Sequence, residues 1–124
     1  MIYVLIFIGA GVGGVLRQVV NVATSRLFAP GFPFGTLAVN VVGSAAMGVL
    51  VALFVLKSDL PQELKVFLTT GVLGGFTTFS TFSLDSVDLW QRGHAGLAIF
   101  YVAASLALSL AGLLFGMQVA RTLA

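Results

Sequence analysis

Between Gly35 and Leu56 there is no charged side chain, and none between Val66 and Leu84 or between Ala95 and Ala120. A helix needs about 20 largely apolar residues to cross the ~30 Å hydrocarbon layer of a bilayer. A fourth stretch, Ile2 to Arg26, carries one interior charge, Arg17. The chain has 124 residues, so these stretches occupy nearly all of it. Charged residues make up 8% of it, where a soluble domain has about 25%. The expectation is an all-α integral membrane protein with four transmembrane helices. It forms one membrane domain, residues 1–124, with approximate spans 2–26, 35–56, 63–91 and 95–121.

The separators are short. Ala29-Pro30-Gly31-Phe32-Pro33, Lys57-Ser58-Asp59-Leu60-Pro61 and Gln91-Arg92-Gly93-His94 are rich in helix-stopping residues. Connections this short join antiparallel neighbours. No positive segment precedes the first apolar stretch, so it reads as a retained helix and not a secretory signal. Four crossings put both termini on one side, with Lys57, Lys65 and Arg121. The other side holds Arg26 and Arg92, with Arg17 pointing toward it. Orientation normally follows an excess of Lys and Arg on one side. With so even a balance, either something else sets one topology or the chain inserts both ways, and a chain that inserts both ways can pair with an inverted copy of itself.

Several chemistries are excluded. The absence of cysteine removes disulfides, thiolate metal sites and a cysteine nucleophile. The single His94 cannot build a metal site alone and reads as a loop residue. Six dispersed Lys and Arg residues form no basic run for nucleic acid. Gly9-Ala10-Gly11-Val12-Gly13-Gly14 imitates a phosphate-binding loop but lies within an apolar helix, without the strand such a loop follows. No paired carboxylates or nucleophilic triad occur in the spans, so the chain reads as a non-enzyme.

Small and polar residues line helical faces. Gly9, Gly13, Arg17 and Asn21 recur every four residues, as do Thr36, Asn40, Ser44 and Gly48. Tyr101, Ser105 and Ser109 form a hydroxyl stripe, followed by Gly112 and Gly116. Membrane helices pack and hydrogen-bond through such residues. The third span differs. Five of the seven residues from Thr77 to Ser83 bear hydroxyls, and Gly71, Gly74 and Gly75 precede them. These residues favour the helix weakly and compete for backbone partners. A mid-membrane break near Gly74–Ser80 is expected, of the kind whose freed carbonyls can hold a cation.

Phe79 and Phe82 share a helical face, and Phe76 extends the row if the turn continues. Aromatic edges are electropositive and can face an anion without adding a full charge. Asn40 can bridge two helices or donate its amide hydrogens to an anion. Arg17 can face a water-filled cavity or snorkel to the surface. Asp85 and Asp88 stand near Trp90, an interfacial residue type, and read as a solvated face.

These segments resemble the Fluc (CrcB) fluoride channels over essentially the whole length. The resemblance rests on Gly11-Val12-Gly13-Gly14-Val15-Leu16-Arg17, on Gly35-Thr36-Leu37-Ala38-Val39-Asn40-Val41-Val42-Gly43, and above all on Gly74-Gly75-Phe76-Thr77-Thr78-Phe79-Ser80-Thr81-Phe82-Ser83. It implies a dual-topology antiparallel homodimer in the bacterial inner membrane, with two pores that export fluoride passively. It implies that Phe79 and Phe82 line the pore by their ring edges and that Asn40 donates an amide. Ser80 and Thr81 lie beside that path, and Tyr101, Ser105 and Ser109 form a polar track. Arg17 sits in the vestibule. Backbone carbonyls of Gly74 and Thr77 from both subunits hold a structural sodium ion. No other protein partner and no nucleic acid is implied. Members often have Glu shortly after the hydroxyl run, where this chain has Asp85.

Two rivals share the size and charge balance. A proton-coupled drug exporter of the small four-helix kind needs a carboxylate in the membrane, and the uncharged stretches hold none. A non-transporting membrane subunit accounts for the glycine stripes but not for the hydroxyl-rich third span.

Overall fold

The computed structural model describes residues 1–123, and all regular structure among them is helical. Three helices are each long and apolar enough to cross a membrane: α1 (Ile2–Leu27), α2 (Phe34–Leu56) and α6 (Ala95–Leu123). Between α2 and α6 the helical path comes in pieces. The short α3 (Gln62–Val66) widens into a π-helical stretch, Phe67–Leu73, and closes with one turn, α4 (Gly74–Phe76). A separate helix, α5, runs from Phe79 to Gln91.

Local chemistry sets the ends. Phe28 takes extended dihedrals after α1, and Gly31 turns the chain at φ 119°, a conformation open to glycine. At the end of α5, Gly93 adopts φ 85°. The His94 amide donates to the Leu89 carbonyl at 2.9 Å and the Gly93 amide to the Trp90 carbonyl at 3.1 Å. This paired closure satisfies carbonyls that a helix end otherwise leaves without donors.

Glycines let the backbones approach. The most extensive packing joins α2 to α6. A Cβ on Gly48 would strike the Leu113 carbonyl, and one on Gly116 the Ala45 carbonyl. Gly9 and Gly13 of α1 lie against the π-helical stretch in the same way: a Cβ on Gly9 would stand 2.9 Å from the Phe67 carbonyl oxygen. The outer surface is apolar. Phe7, Val15, Leu110 and Phe115 are all largely exposed, as suits a chain whose solvent is lipid. The small buried cluster of Leu89, Ala98 and Tyr101, with Phe32, Leu37 and Phe82 against it, anchors α5 to α6 and to the loop before α2.

Candidate functional site

The site is built around two extended residues. Thr77 (φ −87°, ψ 160°) and Thr78 (φ −153°, ψ 118°) separate α4 from α5. β-branched side chains favour such dihedrals. Thr78 is buried, with 8% of its surface exposed, so its backbone groups need partners. Asn40 of α2 supplies both. Its Nδ2 donates to the Thr78 carbonyl at 3.0 Å, and its Oδ1 accepts from the Thr78 amide at 2.8 Å. One amide side chain thus replaces a donor and an acceptor of the missing helical turn. An amide nitrogen carries two hydrogens, so one remains for another acceptor.

Thr78 also caps α5. Its Oγ1 accepts from the Thr81 amide at 3.1 Å and lies 3.3 Å from Ser80 Oγ. In a continuous helix the amides of Thr78 and Thr81 would bond the carbonyls of Gly74 and Thr77. Both amides instead meet side-chain oxygens. Gly74 is exposed, and a Cβ placed on it would meet only the Thr69 carbonyl, at 3.6 Å. Among the described residues no three His, Asp or Glu side chains cluster.

Asn40, Phe79, Phe82, Ser105 and Ser109 converge on one groove of about 250 Å³ between α2, α5 and α6. No charged residue lines it. The Phe79 and Phe82 rings are 5.5 Å apart and inclined at 50°, and Phe79 is 76% exposed. Phe76 falls outside the groove, because the extended Thr77–Thr78 pair breaks the helical phase. Its ring lies near Gly43 instead. Ser105 is 5% exposed, and its Oγ has no hydrogen-bond partner among the described residues. A serine in a helix ordinarily bonds back to a carbonyl of the preceding turn. A buried hydroxyl without a partner costs about 1–3 kcal/mol, and such an atom calls for a ligand or a water.

Tyr101 stands apart from its stripe. Its ring is fully buried, 5.4 Å from Phe82 and edge-on to Phe32 at 5.6 Å. Its hydroxyl donates to Asp85 Oδ2 at 3.2 Å. Asp85, which the sequence places on a solvated face, thus holds a buried phenol. Asp85 and Thr81 line a second cavity of about 350 Å³ with Asn21, Thr24 and Thr36. Ser80 lines neither cavity. Arg17 is half-buried, one helical turn before Asn21, and lines neither cavity. Among the described residues the ion pair is Arg92–Asp88 at 3.0 Å, which leaves Arg17 without a carboxylate. The sequence reading did not single out Thr78 as a cap, although Thr immediately before the first residue of a helix is a favoured cap.

Residues 4–117 match the model of a family described as CrcB-like protein, Camphor Resistance (CrcB). The chain is 50% identical over 123 residues to a protein of Granulibacter bethesdensis named fluoride-specific ion channel FluC, covering 99% of this chain and 97% of that one. It is 50% identical over 119 residues to a protein of the same name from Agrobacterium fabrum, covering 96% and 95%. It is 54% identical over 114 residues to another from Cereibacter sphaeroides, covering 92% and 90%.

Proposed function

This chain belongs to the CrcB family, and from that premise we propose that it is a fluoride-specific channel that lets fluoride leave the cytoplasm passively. It is a multi-pass membrane protein and not an enzyme. The observation that carries the mechanism is the unpartnered Ser105 hydroxyl in a groove of phenylalanines, amide and serines. A small, strongly hydrated anion leaves water only where donors replace its shell. The groove offers the Ser105 and Ser109 hydroxyls, the second amide hydrogen of Asn40, and the electropositive edges of Phe79 and Phe82. None of these carries a full charge, so an ion can enter and still leave. The cavity of Asn21, Thr24 and Thr81, which Asp85 also lines, serves as the entrance, with Arg17 drawing anions toward it and Ser80 beside the path. Tyr101 continues the track by packing on Phe82, while Asp85 holds its hydroxyl.

The pieces from α3 to α5 make the remaining crossing, and the break at Thr77–Thr78 lies within the membrane. Two copies associate antiparallel in the bacterial inner membrane. The carbonyls of Gly74 and Thr77 fit a sodium ion, since unwound backbone oxygens at broken helices suit such cations. Two carbonyl oxygens alone do not enclose a cation, and the second copy contributes its own pair. Sodium, when bound, ties the copies together and sets a positive charge near the anion path.

Liposomes reconstituted with this protein and loaded with potassium fluoride should release fluoride once a potassium ionophore balances the charge, and chloride-loaded ones should not release chloride. Absent fluoride release, or equal chloride release, removes the channel reading. A reporter fused to the C-terminus should be found on both sides of the membrane. Strictly one-sided reporting ends the dual-topology reading and leaves the channel reading intact.

A further inference from the structure

Thr78 sits at the centre of a hydrogen-bond exchange. Its amide and carbonyl are taken by Asn40, and its hydroxyl takes the Thr81 amide. The two amides so occupied, those of Thr78 and Thr81, are the helical donors of Gly74 and Thr77. Resting on the reading of those two carbonyls as sodium ligands, we propose that Thr78 is a positioning residue of the cation site. Its hydroxyl, together with Asn40 Oδ1, holds back the two donors that would otherwise close over the cation-binding carbonyls.

The competition is local and direct. Threonine and asparagine side chains offer backbone amides an alternative to the helical ladder. If the Thr81 amide loses Oγ1, its helical alternative is the Thr77 carbonyl. A carbonyl engaged by an amide has less to offer a cation and points along the helix. The side-chain bonds therefore keep the site open before any ion arrives, and preorganisation of this kind lowers the cost of binding. The same Asn40 lines the fluoride groove. One side chain thus touches both the anion path and the scaffold of the cation site.

Thr78→Val keeps the branched shape and the extended preference and removes the hydroxyl, with its bond to the Thr81 amide and its contact with Ser80. Purified protein in detergent should gain thermal stability as sodium chloride replaces N-methylglucamine chloride at constant ionic strength, following the logarithm of sodium over its dissociation constant. Thr78→Val should need about tenfold more sodium for the same gain, the scale of one lost cap. Thr78→Ser, which keeps the oxygen, should follow the wild type. If Thr78→Val shares the sodium dependence of the wild type, the positioning role is overturned while the cation reading stands. If the wild type itself shows no sodium dependence, the cation reading falls and this role with it. A second measurement needs no variant. In labelled wild-type protein, sodium withdrawal should shift the Gly74 and Thr77 carbonyl resonances and leave the Thr81 amide in place. A Thr81 amide that shifts along with the Thr77 carbonyl means the donor returns to the ladder, and overturns the inference.

Discussion

Replacing both Phe79 and Phe82 by isoleucine is expected to lower fluoride flux by about a hundredfold while the folded protein survives. Edge contacts of aromatic rings contribute about 0.5–1.5 kcal/mol each. Two lost at the upper end correspond to about a factor of ten apiece in a barrier. The structural cost is smaller. Phe79 is 76% exposed and supports little of the core. Phe82 packs on Tyr101 at 5.4 Å, so its replacement by a branched aliphatic costs about 1–2 kcal/mol. Size-exclusion profiles should match the wild type, and fluoride-electrode traces should fall close to those of empty liposomes. Wild-type flux in the double variant would mean that the rings flank the path without contacting the ion.

The helices α2 and α6 were legible because an uncharged run of 20 or more residues has few other fates, and α1 because only a single interior charge, Arg17, interrupts its apolar run. The third span was only partly legible. Its glycines and hydroxyls announce weak helix, and the structure places extended residues at Thr77 and Thr78. Nothing in the sequence announces the π-helical stretch Phe67–Leu73, against which α1 packs through Gly9 and Gly13. Phe76 illustrates the limit of periodicity: spacing of three aligns it with Phe79 only if the helix is continuous, and it is not.

The polar side chains divide by reach. Ser105 and Ser109 are short, so their helical spacing alone puts both on the groove. Tyr101 shares that spacing, yet its long side chain carries the hydroxyl away to Asp85. No local pattern reveals that pairing, because the carboxylate lies on another helix. Asn40 reads from the sequence either as a bridge between helices or as a donor to an anion. Its geometry allows both, since one hydrogen and the oxygen hold Thr78 and one hydrogen is left over. Its partner is 38 residues away in sequence, which is why only the fold identifies it.

That double duty makes Asn40 the position where substitution should cost most after the phenylalanines. Asn40→Leu preserves volume and strips the Thr78 amide and carbonyl of their partners. Each buried, unpartnered backbone group costs about 1–3 kcal/mol, and lipid offers no water as a substitute. Against a total stability of about 5–15 kcal/mol, the loss should appear as a sharply lowered melting temperature together with abolished flux. Asn40→Asp separates the two duties. The carboxylate still accepts from the Thr78 amide, while its other oxygen faces the Thr78 carbonyl with no hydrogen between them, so only part of the stability should return. It no longer donates to an anion and adds a repelling charge beside the groove, so flux should stay absent. The expected order of melting temperatures is wild type, then Asn40→Asp, then Asn40→Leu, with fluoride release in the first alone. If Asn40→Leu melts with the wild type, the Thr78 clamp contributes nothing to the fold. If Asn40→Asp conducts at the wild-type rate, the amide donates nothing to the ion.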